Sequence, residues 1–150
     1  MSYSYEQLTS SDIAAFKGLL RVFGEAFDDL ATYLEDVPSD AYLRALLGKP
    51  HFIALAAFEQ DEVVGGLVAY VLEKFERERS EVYIYDLAVA ERHRRRGIAT
   101  RLIGSLKQLA KQHRAYVIFV QADIGDEPAI RLYESLGARE DVHHYDIKVD

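Results

Sequence analysis

The sequence predicts an α/β domain: a mixed, mostly antiparallel β-sheet flanked by helices. Three observations carry that prediction. The apolar period switches between alternation and steps of three and four, so strands and helices interleave along the chain. Two strand-like runs, 51–58 and 63–72, lie on either side of the polar turn Gln60-Asp61 and form an antiparallel hairpin. A further run, 82–89, leads into a long amphipathic helix and then into strand 116–120. Such a strand–helix–strand unit closes as a parallel pair with a right-handed crossover.

The elements follow in order. Residues 3–8 alternate weakly and predict a first strand. Thr9-Ser10-Ser11-Asp12 supplies N-cap chemistry for a helix whose apolar face is Ile13, Phe16, Leu20, Phe23 and Phe27. Ser39 and Asp40 cap a second helix carrying Tyr42, Leu43, Leu46 and Leu47, stopped by Gly48 with Pro50 beyond. After the hairpin, residues 73–80 are highly charged and read as a loop. Ile98, Leu102, Ile103, Leu106, Leu109 and Ala110 mark the crossover helix, ending near Arg114. The strand at 116–120 is expected to be buried. Pro128 suits the first turn of a last helix, which carries Ile130, Leu132, Tyr133 and Leu136 and stops at Gly137. Residues 142–149 alternate and predict a closing strand. No repeat, low-complexity tract or linker interrupts the 150 residues, so a single domain over 1–150 is expected.

Composition narrows the function. With 49% hydrophobic and 29% charged residues, the balance is that of an ordinary globular domain. The absence of cysteine excludes disulfides, a cysteine nucleophile and a thiolate metal site. No secretory leader pattern opens the chain and no apolar stretch reaches membrane-spanning length, so a cytoplasmic protein without a membrane partner is expected. A net charge of −7 argues against nucleic acid as a partner. Four arginines crowd into residues 92–96, leaving the remainder still more acidic. Between Arg21 and Arg44 stand Glu25, Asp28, Asp29, Glu35, Asp36 and Asp40 with no Lys or Arg, a segment that either attracts cations or is simply a solvated loop. The five histidines show no metal-ligand spacing, and no metal is expected.

The run Arg92-His93-Arg94-Arg95-Arg96-Gly97-Ile98-Ala99 lies between a strand and its crossover helix. A helix start offers unpaired N–H groups and a positive dipole end, which together suit a diphosphate. Neighbouring arginines add charge-assisted hydrogen bonds. The alternatives are an exposed basic loop or a nucleic-acid patch, and the position between strand and helix favours the diphosphate. No Walker or Gly-x-Gly-x-x-Gly pattern is present.

Arg94-x-x-Gly97-x-Ala99 resembles the acyl-CoA motif of the GNAT superfamily of N-acetyltransferases, and residues 126–137, Asp-Glu-Pro-Ala-Ile-Arg-Leu-Tyr-Glu-Ser-Leu-Gly, resemble its second cofactor segment. Residues 52–58, 81–89 and 116–123 are similar to the aminoglycoside 3-N-acetyltransferase type I family, from about Phe23 to Ile147 and including His144-Tyr145-Asp146-Ile147. The resemblance implies a GNAT fold with a splayed central parallel pair. It implies acetyl-CoA as cosubstrate, held by the backbone of Leu87, Ala88 and Val89, by Arg94, Arg95, Arg96, Gly97, Ile98, Ala99 and Thr100, and by Asp126, Ala129 and Tyr133. Asp126 stands where the superfamily often has Asn, so it either meets CoA or caps the helix. Tyr133 matches a tyrosine that protonates the departing thiolate; the alternative is a core tyrosine with its hydroxyl tied off.

Acetyl transfer to an amine needs a proton acceptor. Asp86, a charged residue in an otherwise apolar strand, is the candidate, because burial would raise its pKa. Orienting the ammonium, or satisfying backbone donors at a bulge, are its alternative roles. The implied acceptor is an aminoglycoside, a polycation acetylated at its 3-amino group. Glu25, Asp28, Asp29, Asp123 and Asp146 are candidate contacts, with Tyr83 and Tyr85 as walls. Acetylation of another polyamine or of a protein amine, or non-catalytic acyl-CoA binding, are the competing readings. Unpaired sheet edges would permit a homodimer.

Overall fold

A computed structural model describes residues 2–150. Five strands lie in sequence order in one sheet: β1 (Ser4–Gln7), β2 (Phe52–Glu59), β3 (Glu62–Glu73), β4 (Ser80–Val89) and β5 (Ala115–Val120). The first three pairings are antiparallel and β4–β5 is parallel, so the mixed sheet is as expected. Helices α1 (Ile13–Ala26) and α2 (Asp40–Leu47) precede β2, α3 (Ile98–Gln112) makes the β4–β5 crossover, and α4 (Glu127–Leu136) follows β5.

The sheet is the middle layer of three. Successive strand residues point to opposite faces. Ile53, Leu55 and Ala57 of β2 join α3 residues Ile98, Leu102, Ile103, Leu106 and Ala110 in one core. Phe52, Ala54 and Ala56 join Phe16, Leu19, Val22 and Phe23 of α1 and Leu43 and Leu47 of α2 in another. This two-sided cover is why β2 reads as an unbroken apolar run. Helix α1 lies directly against β3 at Gly66. A Cβ there would stand 2.5 Å from both the Leu55 carbonyl oxygen and Leu19 Cδ1.

Several expectations need correction. Asp12 does not cap α1; its Oδ2 accepts from the Thr9 N–H (2.7 Å) and hydroxyl (3.0 Å), while Ser39 Oγ does cap α2 by accepting from the Tyr42 N–H at 3.1 Å. β5 is not buried. It is the edge strand, and Tyr116 and Val117 are exposed. Residues 142–149 form no strand, and Val142, Tyr145, Ile147 and Val149 are 75%, 78%, 89% and 104% exposed. Alternation makes a segment fit to line a sheet, but a strand also needs a ladder, and this chain gives its own tail none.

Candidate active site

One extra residue in β4 organises the site. Val68 pairs with Asp86 but its neighbour Ala69 pairs with Ile84, which leaves Tyr85 without a partner on β3: a β-bulge. Before it, Val82 and Ile84 face α3; after it, Leu87 and Val89 do. The bulge therefore puts Tyr83, Tyr85 and Asp86 on the α1 side together. The β4–β5 ladder ends at Ile84↔Val120, so Tyr85–Val89 has no β5 partner and its backbone borders an open gap. Leu87, Ala88 and Val89 are thus where a ligand can complete the sheet edge.

Asp86 is half-buried. Burial pushes its carboxyl above the usual aspartate range, and a hydrogen bond donated by the Tyr33 hydroxyl to Oδ2 (2.8 Å) pulls the other way. Tyr33 stands on a π-helical turn, Ala31–Glu35, with its ring 5.9 Å from both Phe23 and Phe27. Asp29 supports that turn, since its Oδ1 accepts from the Thr32 N–H at 3.2 Å. Burial and the neighbouring Asp86 both push the Tyr33 phenol up, so it remains a donor. Sequence reasoning missed Tyr33. Its only signal was an aromatic residue inside the acidic segment, outside the period of either flanking helix.

Tyr133, on α4, is partly buried against the α3-side core. Its phenol is pushed up to about 12, by burial first and then by the charges of Asp126 and Asp86. No protein group among the described residues ties off its hydroxyl. It is a phenol at neutral pH, close enough to Asp86 to feel its charge. Asp126 caps α4: its Oδ1 accepts from the Ala129 N–H at 3.4 Å, so of its two expected roles the structure forms this one.

The arginine run makes a turn of unusual backbone. Arg95 and Gly97 have φ of 63° and 77°, and Gly97 is the N-cap of α3 with no side chain capping the helix. A Cβ on Gly97 would meet no protein atom within 4 Å. Glycine is required there by its left-handed conformation, and the space over the helix start is open. Arg94, Arg95, Arg96 and Thr100 are exposed beside it, while Ile98 is buried and Ala99 half-buried. Arg94 Nε donates to the Val89 carbonyl at 3.0 Å, tying the turn to β4. Beneath it His93 is 2% exposed. Its Nε2 accepts from Arg92 Nε at 3.2 Å, and its Nδ1 is hydrogen-bonded with the Tyr3 hydroxyl at 2.9 Å. Arg96 also reaches that hydroxyl, at 3.4 Å. The buried histidine thus anchors the turn to the strand β1 side, a role its sequence position did not reveal.

The residues expected to meet the acceptor are acidic and aromatic. Glu25 and Asp28 are exposed at the end of α1, with Asp28 at φ 51°. Tyr83 stacks on Phe119 (4.7 Å, 4°) and its hydroxyl donates to Gln121 Oε1 at 3.2 Å. Tyr85 is 61% exposed against Tyr83 and Tyr70. Asp123 is exposed just beyond β5. Asp40 is paired with Lys17 at 2.7 Å, whereas Glu35 and Asp36 are solvated. Asp146 is not brought to this group: it lies in the exposed tail, within 2.9 Å of His144 Nε2. Among the described residues no cluster of three or more His, Asp or Glu side chains has metal-binding geometry, and no helix is long and apolar enough to cross a membrane.

The acetyltransferase (GNAT) family model matches residues 18–138. An N-alpha-acetyltransferase of Sulfurisphaera tokodaii is 31% identical over 96 residues, which is 57% of this chain and 58% of that protein, so the match spans under two thirds of the relative. Among solved structures, an aminoglycoside acetyltransferase from an uncultured soil metagenomic sample is 59% identical with a TM-score of 0.97, covering 100% of both chains. A second soil metagenomic aminoglycoside acetyltransferase, in complex with sisomicin, is 32% identical with a TM-score of 0.90 over 99% of this chain and 97% of that one.

Proposed function

The chain belongs to the GNAT acetyltransferase family, and from that premise we propose that it transfers acetyl from acetyl-CoA to an aminoglycoside, at the 3-amino group. The observation that carries this reading is the placement of Asp86. A carboxylate made more basic by burial sits at the bulge of β4, on the face it shares with Tyr83 and Tyr85 and next to the stretch of β4 that has no β5 partner.

The residues present fit acetyl-CoA. The uncapped start of α3 and Arg94, Arg95 and Arg96 suit its diphosphate, and the backbone of Leu87, Ala88 and Val89, which has no β5 partner, suits its pantetheine amides. Asp126 and Ala129 hold the start of α4, which carries Tyr133. The thioester supplies the acetyl group. Asp86 takes a proton from the substrate ammonium, leaving a neutral amine. The amine nitrogen bonds to the acetyl carbon, the carbon–sulfur bond breaks as Tyr133 gives its proton to the sulfur, and the nitrogen's surplus proton passes to the Tyr133 phenolate, leaving a neutral amide, the CoA thiol and a restored phenol. Transfer is direct, within a ternary complex. Glu25, Asp28, Asp29 and Asp123 attract and orient the polycation, and Tyr83 and Tyr85 flank its rings. Loss of one positive charge weakens the drug's attraction to ribosomal RNA, which is resistance, exerted in the cytoplasm where drug target and acetyl-CoA meet.

A second reading, acetylation of a protein's terminal amine, is favoured by the Sulfurisphaera relative. The test is CoA release from acetyl-CoA with an aminoglycoside panel, spermidine and short peptides. Turnover on drugs bearing a free 3-amino group, and its loss when that amine is blocked, is expected. Turnover on peptides alone would select the second reading.

A further inference from the structure

Helix α1 carries a glycine that its backbone does not call for. Gly24 is buried near the end of the helix and does not have a positive φ, so any residue could adopt its conformation. Glycine inside a helix loses conformational entropy that alanine would spare. What the missing side chain provides is room. A Cβ on Gly24 would stand 3.3 Å from Tyr33 Cβ and 3.4 Å from Leu30 Cδ2. Two carbons rest at about 3.5–4.0 Å. Tyr33 Cβ is the backbone end of its side chain, so it cannot swing clear by a change of rotamer.

Gly24 also holds the same segment by hydrogen bonding. Its carbonyl accepts from the Asp29 N–H at 2.9 Å, and Asp29 Oδ1 accepts from the Thr32 N–H at 3.2 Å. The next residue is Tyr33, whose hydroxyl donates to Asp86 Oδ2 at 2.8 Å. That hydroxyl is the far end of a rigid ring, so a displacement at Cβ is carried to the hydrogen bond. The other carboxylate oxygen, Oδ1, has no hydrogen-bond partner among the described residues and is not sealed from solvent. Tying Oδ2 thus leaves one defined oxygen to take a proton.

We propose that Gly24 is a positioning residue for acetyl transfer: it seats the turn Ala31–Glu35 so close to α1 that the Tyr33 hydroxyl holds Asp86 Oδ2 and leaves Oδ1 to the substrate amine. The role in transfer rests on the reading of Asp86 as the base; the seating itself does not. The other ionisable groups around Asp86 are phenols. Tyr70 on β3, Tyr83 on β4 and Tyr133 on α4 feel its charge, and burial pushes each of them up, so they stay neutral where a carboxylate titrates. Asp29 and Tyr85 act on the Tyr33 phenol, which is pushed up as well.

The test titrates Asp86 in the full chain by its carboxyl carbon resonance, assigned by its loss in Asp86→Asn, with no substrate present. Gly24→Ala and Tyr33→Phe are each expected to raise the midpoint, by up to about one pH unit, because a hydrogen bond that favours the charged form is weakened or lost. The double variant is expected to go no further than Tyr33→Phe alone, since both changes act on one bond. No residue of the turn is buried, so it can shift aside, and the melting temperature of Gly24→Ala is expected to stay near that of wild type. With whichever amine is turned over, the acidic limb of kcat/KM is expected to follow the midpoint while KM for acetyl-CoA stays unchanged. A midpoint unmoved by Gly24→Ala, or shifts that add in the double variant, would overturn the proposal. A moved midpoint with an unmoved acidic limb would overturn Asp86 as the base, and the positioning role with it, while leaving the seating in place.

Discussion

Residues 2–110 and residues 111–150 are packed in opposite ways. Every buried side chain among the described residues lies between Leu8 and Ala110, and none lies beyond. The first region is two closed cores on either side of a sheet. The second is an edge strand, a helix with one face laid against the α3-side core, and a free tail. The proposed chemistry sits on the border: Asp86 belongs to the packed part and Tyr133 to the open part. What the difference teaches is that one region supplies stability and the other supplies open surface.

Breaking the border on its packed side has the largest expected effect. Asp86→Asn is expected to lower kcat by about 10²–10⁴-fold, the usual worth of a general base. Stability should move the other way. Burial raises the Asp86 pKa in the folded state, so the folded protein binds that proton more tightly than the unfolded chain. The stability this contributes is present below the unfolded value, about 4, and is lost as pH rises through the folded one. At pH 7 the charge is a cost that Asn removes, and the melting temperature of the variant is expected at or above that of wild type. An unchanged kcat in steady-state assays would remove Asp86 as the base.

Next in size is Leu102→Ala, in the fully buried face of α3, expected to cost about 2–5 kcal/mol in urea unfolding. Tyr33→Phe comes third. It removes the one hydrogen bond that lowers the Asp86 pKa, so the acidic limb of the kcat/KM profile is expected to shift to higher pH, with kcat reduced by about tenfold or less. A profile that does not move would show that Tyr33 only packs. The smallest effect sharpens the contrast. Ile124→Ala, in the fully exposed loop beyond β5, is expected to change stability by no more than about 0.5 kcal/mol despite its apolar side chain. A loss comparable to that at Leu102 would mean that the open region is packed after all.

Much of this was legible in the sequence, for physical reasons. The hairpin, the crossover helix and its arginine-rich start are local patterns, set by period and by turn chemistry. Asp86 was legible because a charge in an apolar strand needs an explanation. Tyr33 was not, since its contact with Asp86 joins residues 53 apart through a turn that has no periodic signature. The exposure of β5 and the free tail were misread for a related reason. Alternation reports which faces a segment can offer, whereas burial depends on what arrives to cover them. The bulge could not be placed by counting either, because it exists only in the register between two strands.

That bulge has a consequence for how such a protein can vary. A strand has two phases, and the extra residue at Tyr85 shifts β4 from one to the other midway. Exchanging a side chain at Tyr83 or Tyr85 remodels the cleft wall and leaves the phase alone. Deleting Tyr85 itself removes the bulge and leaves Ile84 opposite Ala69 and Asp86 opposite Val68, so the carboxylate keeps its face and only the extra side chain is lost. Substitution at the bulge and loss of its extra residue can therefore both reshape this face of β4 while the residues on either side keep the faces they have.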